Sequence, residues 1–200
     1  RFRLVRAPAR WLANSRIAWS VVSRIDRVRG LRARSRLQSC DPSSLPRHIS
    51  IIMDGNRRFA WANSMDLNQG HSAGKEKLKR VMRWVLDLKI PYLTVYALSN
   101  ENMKKRSEEE MSALYELYVQ GLKEISIDPL IHENRVRVNV VGRREFLPEK
   151  VKKAILKAED STKDYSDFIF TICLAYGGRE EIVDAVKSLA EDYAEGSIEA

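Results

Sequence analysis

Cysteine is scarce in this chain of 200 residues: there are two, Cys40 and Cys173, in unlike surroundings. That excludes a disulfide framework as the organising device and is in keeping with a reducing compartment. No CxxC pair and no His/Cys cluster occurs, so nothing marks a zinc site. No uninterrupted apolar run approaches the roughly 18 residues that cross a bilayer, and no internal repeat is evident. What is present, 44% apolar and 31% charged residues, is the composition of a soluble globular protein with enough chain for one substantial core.

Acidic residues are nearly missing from the first 40 positions, which hold eleven arginines, no lysine and one acid, Asp26. The remainder carries 24 basic and 26 acidic residues. The formal charge of +8 therefore belongs to an appendage, and the body offers no support for a nucleic-acid partner, which is not expected. Within the appendage, Trp11, Ser15, Ala18, Val22 and Ile25 share an imperfect helical face. Three readings compete, in this order: an amphipathic surface helix on anionic lipid, an Arg- and Ser-rich transit peptide, and a basic arm for nucleic acid. A cytoplasmic protein at the membrane surface follows from the first, and organellar import from the second. Cys40 to Pro46, CDPSSLP, is a linker by composition, which divides the chain into an extension, 1–45, and a domain, 46–200.

The domain reads as strands alternating with helices. Strands are predicted at His48–Met53, Tyr92–Leu98, Val136–Gly142 and Phe168–Ala175, the last almost wholly apolar and hence central. Helices are predicted from Gly70 and His71 to the stop before Pro91, from an N-cap at Ser107 through Ile125, from Pro148 to about Ser161, and over Glu180–Ala194. Glu110 stands at capping-box spacing from Ser107. Phe59–Gln69 reads as a short helix or a loop. This order implies an α/β fold with a mostly parallel central sheet and helices on both faces.

Three strands exit into polar clusters. The first, Asp54, Gly55, Asn56, Arg57 and Arg58, joins a carboxylate to an amide and two guanidinium groups, a set suited to magnesium on a diphosphate. The second is Ser99, Asn100, Glu101 and Asn102. The third, Tyr176–Arg179, carries a GGR that is read first as a tight strand-to-helix turn and second as a phosphate-binding turn.

The strings HISIIMDGNRRFA, GHSAGKEKL, YALSNENMKKRSEEE and LAYGGREEIVDAV occur in order. Together they resemble the signatures of the cis-prenyltransferases, the undecaprenyl diphosphate synthase family, over residues 46 to 200. The resemblance implies an enzyme that adds isopentenyl diphosphate units to an allylic diphosphate, farnesyl or geranylgeranyl, with Mg2+, to make a long polyprenyl diphosphate for a carrier lipid. It implies a homodimer and a hydrophobic tunnel, with walls expected from Leu78–Leu88 and Met111–Ile125. A non-catalytic partner subunit is the alternative; such partners tend to lose the Asp and Arg cluster that is present here.

Carried over residue by residue, the resemblance makes Asp54 the magnesium-holding catalytic residue, and Gly55, Asn56, Arg57 and Arg58 a diphosphate loop bordered by Phe59. His71 would contact the allylic diphosphate. Ser99, Asn100, Glu101, Asn102 and Met103 match the second substrate string, with Asn102 in proton handling; an amide is a poor base, so it is expected to orient groups. A one-residue insertion after Met103 makes Arg106 the cation for the second diphosphate, with Lys105 the alternative. Two departures stand out. Leu67 occupies a place where bacterial members have another diphosphate-binding Arg. The family's C-terminal R-x-S and later metal-binding Glu are absent, so a fragment lacking activity by itself is expected.

Overall fold

The computed structural model describes residues 41–198; the readings made on residues 1–40 lie outside the described residues. Four strands, β1 (His48–Ile52), β2 (Tyr92–Tyr96), β3 (Val136–Val141) and β4 (Phe168–Cys173), form one sheet in the order β1-β2-β4-β3, parallel throughout. The most apolar strand, β4, lies between β2 and β3, where both of its edges are paired.

Register explains why only part of the apolar sequence is core. The rows Ile49–Leu93–Phe170–Val138 and Ile51–Val95–Ile172–Val140 run straight across the sheet. Successive side chains alternate between faces, so both rows point the same way, and helices pack over them. The row between them, Ser50–Thr94–Thr171–Asn139, is polar and faces the other side. Cover on both faces was expected; among the described residues the packing is concentrated on one.

Seven helices are described: α1 (Asn56–Ala62), α2 (Leu67–Asp87), α3 (Asn100–Lys105), α4 (Glu108–Ile125), α5 (Pro129–Glu133), α6 (Glu149–Asp160) and α7 (Gly178–Ala194). Met82, Val85 and Leu86 of α2 join Ile131 of α5 over Leu93, Val95, Val138 and Phe170. Met111, Leu114, Val119 and Leu122 of α4 join Val151, Ala154, Ile155 and Ala158 of α6 in an adjoining cluster. β3 is an edge strand, and edges need cover. Here α6 and the turn after it supply it: the Val138 amide donates to Thr162 Oγ1 at 3.1 Å, and the Val140 amide donates to Glu159 Oε1 at 2.8 Å. In α7 no residue is buried.

Two boundaries differ from the sequence reading, and both bear on the site. α2 starts at Leu67, a turn before Gly70, because Asp66 and Gln69 form a reciprocal capping box. Arg57 and Arg58 lie in the first turn of α1 rather than in a loop. Gly55 makes that turn possible: it sits before the helix at φ 89°, the left-handed region that glycine enters without a Cβ penalty. The short helices α1, α3 and α5 have too few turns to show a period, which is why α3 and α5 are absent from the sequence reading.

α1 lies directly on α2. A Cβ on Gly70 would stand 2.6 Å from the Asn56 carbonyl oxygen and 2.8 Å from Ala60 Cβ, and one on Gly74 would stand 2.6 Å from Asn56 Oδ1. Gly70→Ala is therefore expected to lower stability by about 1–3 kcal/mol. A urea midpoint equal to that of the parent would show that α1 is free to move away.

Candidate active site

The C-terminal ends of β1 and β2 deliver the polar clusters to one cavity of about 550 Å³. Pairing continues through Met53, whose amide donates to the Tyr96 carbonyl at 3.1 Å; the chain then releases Asp54 at the cavity rim. The Asp54 side chain is 76% exposed and accepts from Arg58 NH2 at 2.8 Å. Ion pairs this solvated are held weakly, so both groups remain available to a ligand.

Below the rim the charges are organised by a residue not foreseen from the sequence. Glu110 accepts two hydrogen bonds from Arg57, 3.1 Å from Nε and 2.5 Å from NH2. His71 Nε2 lies 3.4 Å from its Oε1 and Arg106 Nε 3.6 Å from the same oxygen. The Glu110 side chain is 8% exposed. Burial raises its carboxyl pKa, but Arg57, Arg106 and His71 together outweigh burial, and the net shift is downward. Ser107 still caps α4 by accepting from the Glu110 amide, yet the Glu110 carboxylate turns inward and does not close the expected capping box. The signal lay in the helix period: Glu110 shares a stripe with Leu114, Leu117, Tyr118 and Gly121, all of which line the cavity.

His71 lies in the second turn of α2 and is 8% exposed. Burial is the main cause holding its pKa below 6.5, with the positive charges of Arg106 and Arg57 also lowering it and Glu110 opposing them. The imidazole is thus neutral near pH 7. A depressed histidine pKa contributes stability that is complete above the unfolded value of 6.5 and is lost as pH falls through the folded value. Urea midpoints are expected to drop between pH 7 and 5, and less so in His71→Gln; equal slopes would rule out this residue as the source.

Ser99 caps α3, its hydroxyl oxygen accepting from the Asn102 amide at 2.9 Å. A hydroxyl that accepts can donate as well, here to the neighbouring Tyr96 hydroxyl or to an anionic oxygen. Arg106 is 14% exposed, and its Nε has no hydrogen-bond partner. Lys105 is 70% exposed and pairs with Glu101 at 2.5 Å. Of the two candidate cations, Arg106 is the one built into the wall.

Asp54, Gly55, Asn56, Arg57, Arg58, His71, Ser99, Asn102, Lys105 and Arg106 all line the cavity. Four sequence candidates do not: Phe59 is 47% exposed on α1, Asn100 and Glu101 lie outside the lining, and Met103 packs into the core under α4. Gly177–Arg179 is also outside it. The deeper wall is apolar, with Leu78, Met82, Val95, Leu122, Ile125 and Phe170. Both expected helix faces contribute, through Leu78 and Met82 of α2 and Leu114 to Ile125 of α4.

Among the described residues no three His, Cys, Asp or Glu side chains cluster as metal ligands. Asp54 alone fits magnesium if substrate phosphates supply further oxygens, the usual arrangement for this ion. No described helix is long and apolar enough to cross a membrane.

A family model described as putative undecaprenyl diphosphate synthase matches residues 52–200. The chain is 44% identical over 168 residues to the geranylgeranyl-diphosphate-specific tritrans,polycis-undecaprenyl-diphosphate synthase of Pyrococcus horikoshii, covering 84% of this chain and 63% of that protein. The protein of the same name from Methanocaldococcus jannaschii is 46% identical over 162 residues, covering 81% and 58%. Among solved structures, lavandulyl diphosphate synthase from Lavandula x intermedia, in complex with dimethylallyl diphosphate, aligns with a TM-score of 0.72 at 30% identity, over 76% of this chain and 64% of that one. A probable undecaprenyl diphosphate synthase from Campylobacter jejuni aligns with a TM-score of 0.61 at 27% identity, over 75% and 64%. The chain spans about three-fifths of the length of these curated relatives.

Proposed function

Since the chain belongs to the undecaprenyl diphosphate synthase family of cis-prenyltransferases, we propose that it condenses isopentenyl diphosphate with an allylic diphosphate, adding cis isoprene units to make a long polyprenyl diphosphate. The observation that carries this reading is a single cavity with two chemistries: cations and a carboxylate at its mouth, and hydrocarbon in its depth. A prenyl diphosphate has the same two ends.

Arg58 and Asn56 bind the allylic diphosphate at the rim, with His71 behind them. Asp54 holds magnesium, which when bound offsets charge on the leaving diphosphate. Ser99 and Arg106 bind isopentenyl diphosphate, the hydroxyl as donor and the guanidinium as counter-charge. The allylic C–O bond breaks and diphosphate departs. The alkene of isopentenyl diphosphate forms the new C–C bond, and a proton is lost, with Asn102 orienting the reacting groups. The apolar wall receives the lengthening chain.

Geranylgeranyl diphosphate is the favoured primer, since the relatives from Pyrococcus horikoshii and Methanocaldococcus jannaschii carry that specificity in their names; farnesyl diphosphate is the alternative. A carrier-lipid role for the product, a homodimer, and a cytoplasmic site with membrane-surface contact through residues 1–40 complete the proposal. The last rests on the arginine-rich composition of that segment.

The test is transfer of radiolabelled isopentenyl diphosphate to each primer with magnesium, using this chain and the longest natural chain that contains it. Long-chain product supports the enzyme. A folded protein that extends neither primer in either form supports the non-catalytic partner subunit instead.

A further inference from the structure

Four charged side chains, Lys75, Lys79, Glu124 and Asp128, interrupt the apolar wall of the cavity, and the first three are joined to one another. Lys75 and Lys79 stand one and two turns beyond His71 on α2, and Glu124 lies near the end of α4. Lys75 Nζ donates to Glu124 Oε1 at 2.8 Å, and Lys79 Nζ is 2.8 Å from Oε2. Lys79 also lies 3.5 Å from Glu76 on its own helix. The three are 18%, 38% and 32% exposed, so they look to solvent on one side and to the cavity on the other. A Cβ on Gly121 would lie 3.9 Å from Lys75 Cδ, so the Lys75 methylenes cross α4 where that helix has no side chain.

We propose that Lys75, Lys79 and Glu124 form an ionic latch across the α2–α4 seam that limits how far the hydrocarbon part of a ligand extends through the cavity. The inference rests on the prenyl diphosphate reading of the same site. Glu124 follows Glu110 by fourteen residues on α4, about 21 Å along the helix. On α2 the lysines lie only four and eight residues past His71, about 6 and 12 Å, so a hydrocarbon tail entering from the polar mouth meets the latch along the seam, on the α2 side first. It accepts no hydrogen bond from an ammonium group and returns nothing to a separated carboxylate, so it does not displace the pairs. The tail stops there or turns aside.

The experiment measures dissociation constants of farnesyl, geranylgeranyl and longer polyprenyl monophosphates for the full chain by calorimetry. Three variants accompany the parent. One is apolar, Lys75→Met/Lys79→Met/Glu124→Leu. One is charge-reversed, Lys75→Glu/Lys79→Glu/Glu124→Lys, with Glu76→Lys added so that the pair with Glu76 is reversed too, and keeps the pairs. The third is Glu124→Gln, which serves if the apolar variant fails to fold. Affinity for the parent is expected to rise with chain length and then level off. In the apolar variant it goes on rising, reaching about tenfold or more tighter binding of the longer ligands, and Glu124→Gln moves the same way. The charge-reversed variant levels off where the parent does. Identical length profiles for the parent and the variants without the pairs would overturn the latch, as would a charge-reversed variant that behaves like the apolar one. A parent that binds no prenyl phosphate of any length overturns the functional reading itself, an outcome distinct from equal profiles.

Discussion

Alanine in place of Asp54 is expected to lower isopentenyl transfer by about a thousandfold while leaving the fold intact. A carboxylate-held metal supplies several kcal/mol toward a developing anion, and about 4 kcal/mol corresponds to three decades in rate. Among the described residues there is no clustered set of ligands to take its place. The side chain is 76% exposed, and its partner Arg58 is 74% exposed, so its loss removes a solvated ion pair and the exposed hydrogen bond that Oδ1 accepts from the Gly55 amide. The urea midpoint should stay at the parent value. Asp54→Asn separates charge from shape: it keeps an oxygen at the rim but not the negative charge, and should be nearly as impaired. More than a tenth of parental activity in either variant, at saturating magnesium, would remove Asp54 from the chemistry.

Glu110→Ala is expected to damage both stability and binding, through its neighbours. Removing one partner of a buried ionic cluster leaves the others uncompensated, at about 3–5 kcal/mol. Arg57 is 51% exposed while Arg106 is 14% exposed; water repays part of the loss at Arg57, which places the expectation at the low end, about 3 kcal/mol. Diphosphate affinity should fall as well, because Arg57, His71 and Arg106 lose the group that aligns them. Glu110→Gln keeps the volume and should recover part of the stability but little of the alignment. The acid limb gives a second readout. The Glu110 pKa is depressed below 4.5, so its contribution is present above that value and is lost as pH falls below it; in Glu110→Gln the decline below pH 4.5 should be shallower. A urea midpoint within error of the parent for Glu110→Ala would show that the cluster is incidental to the fold.

Local rules made much of this protein legible without coordinates. Strand alternation and helix period placed four strands and the four long helices. The polar residues released after β1 and β2 marked the cavity mouth, because a parallel sheet gathers its strand ends at one edge. Ser107 as the cap of α4 also follows from local chemistry alone. Short elements were less legible. α1, α3 and α5 lack the length for a period, and the sequence pattern gives α2 a turn short because Gly70 resembles a boundary while the Asp66–Gln69 box is the stronger start.

The sequence by itself determined the fold class, the central place of β4, the family and most of the residues at the polar mouth, since each depends on patterns within a few turns or one strand. Only the tertiary structure decided what those residues do to one another. Glu110 is 53 positions from Arg57 and 39 from His71, and Glu124 is 49 from Lys75. No local periodicity encodes such pairs; they exist because α1 is packed on α2, and α2 and α4 over the same face of the sheet. The choice of Arg106 as the built-in cation, the exclusion of Phe59 and Met103 from the cavity wall, and the polar row on the opposite face are of the same kind. Each follows from which side of an element a residue is turned to once the elements are docked, and docking is a property of the whole chain.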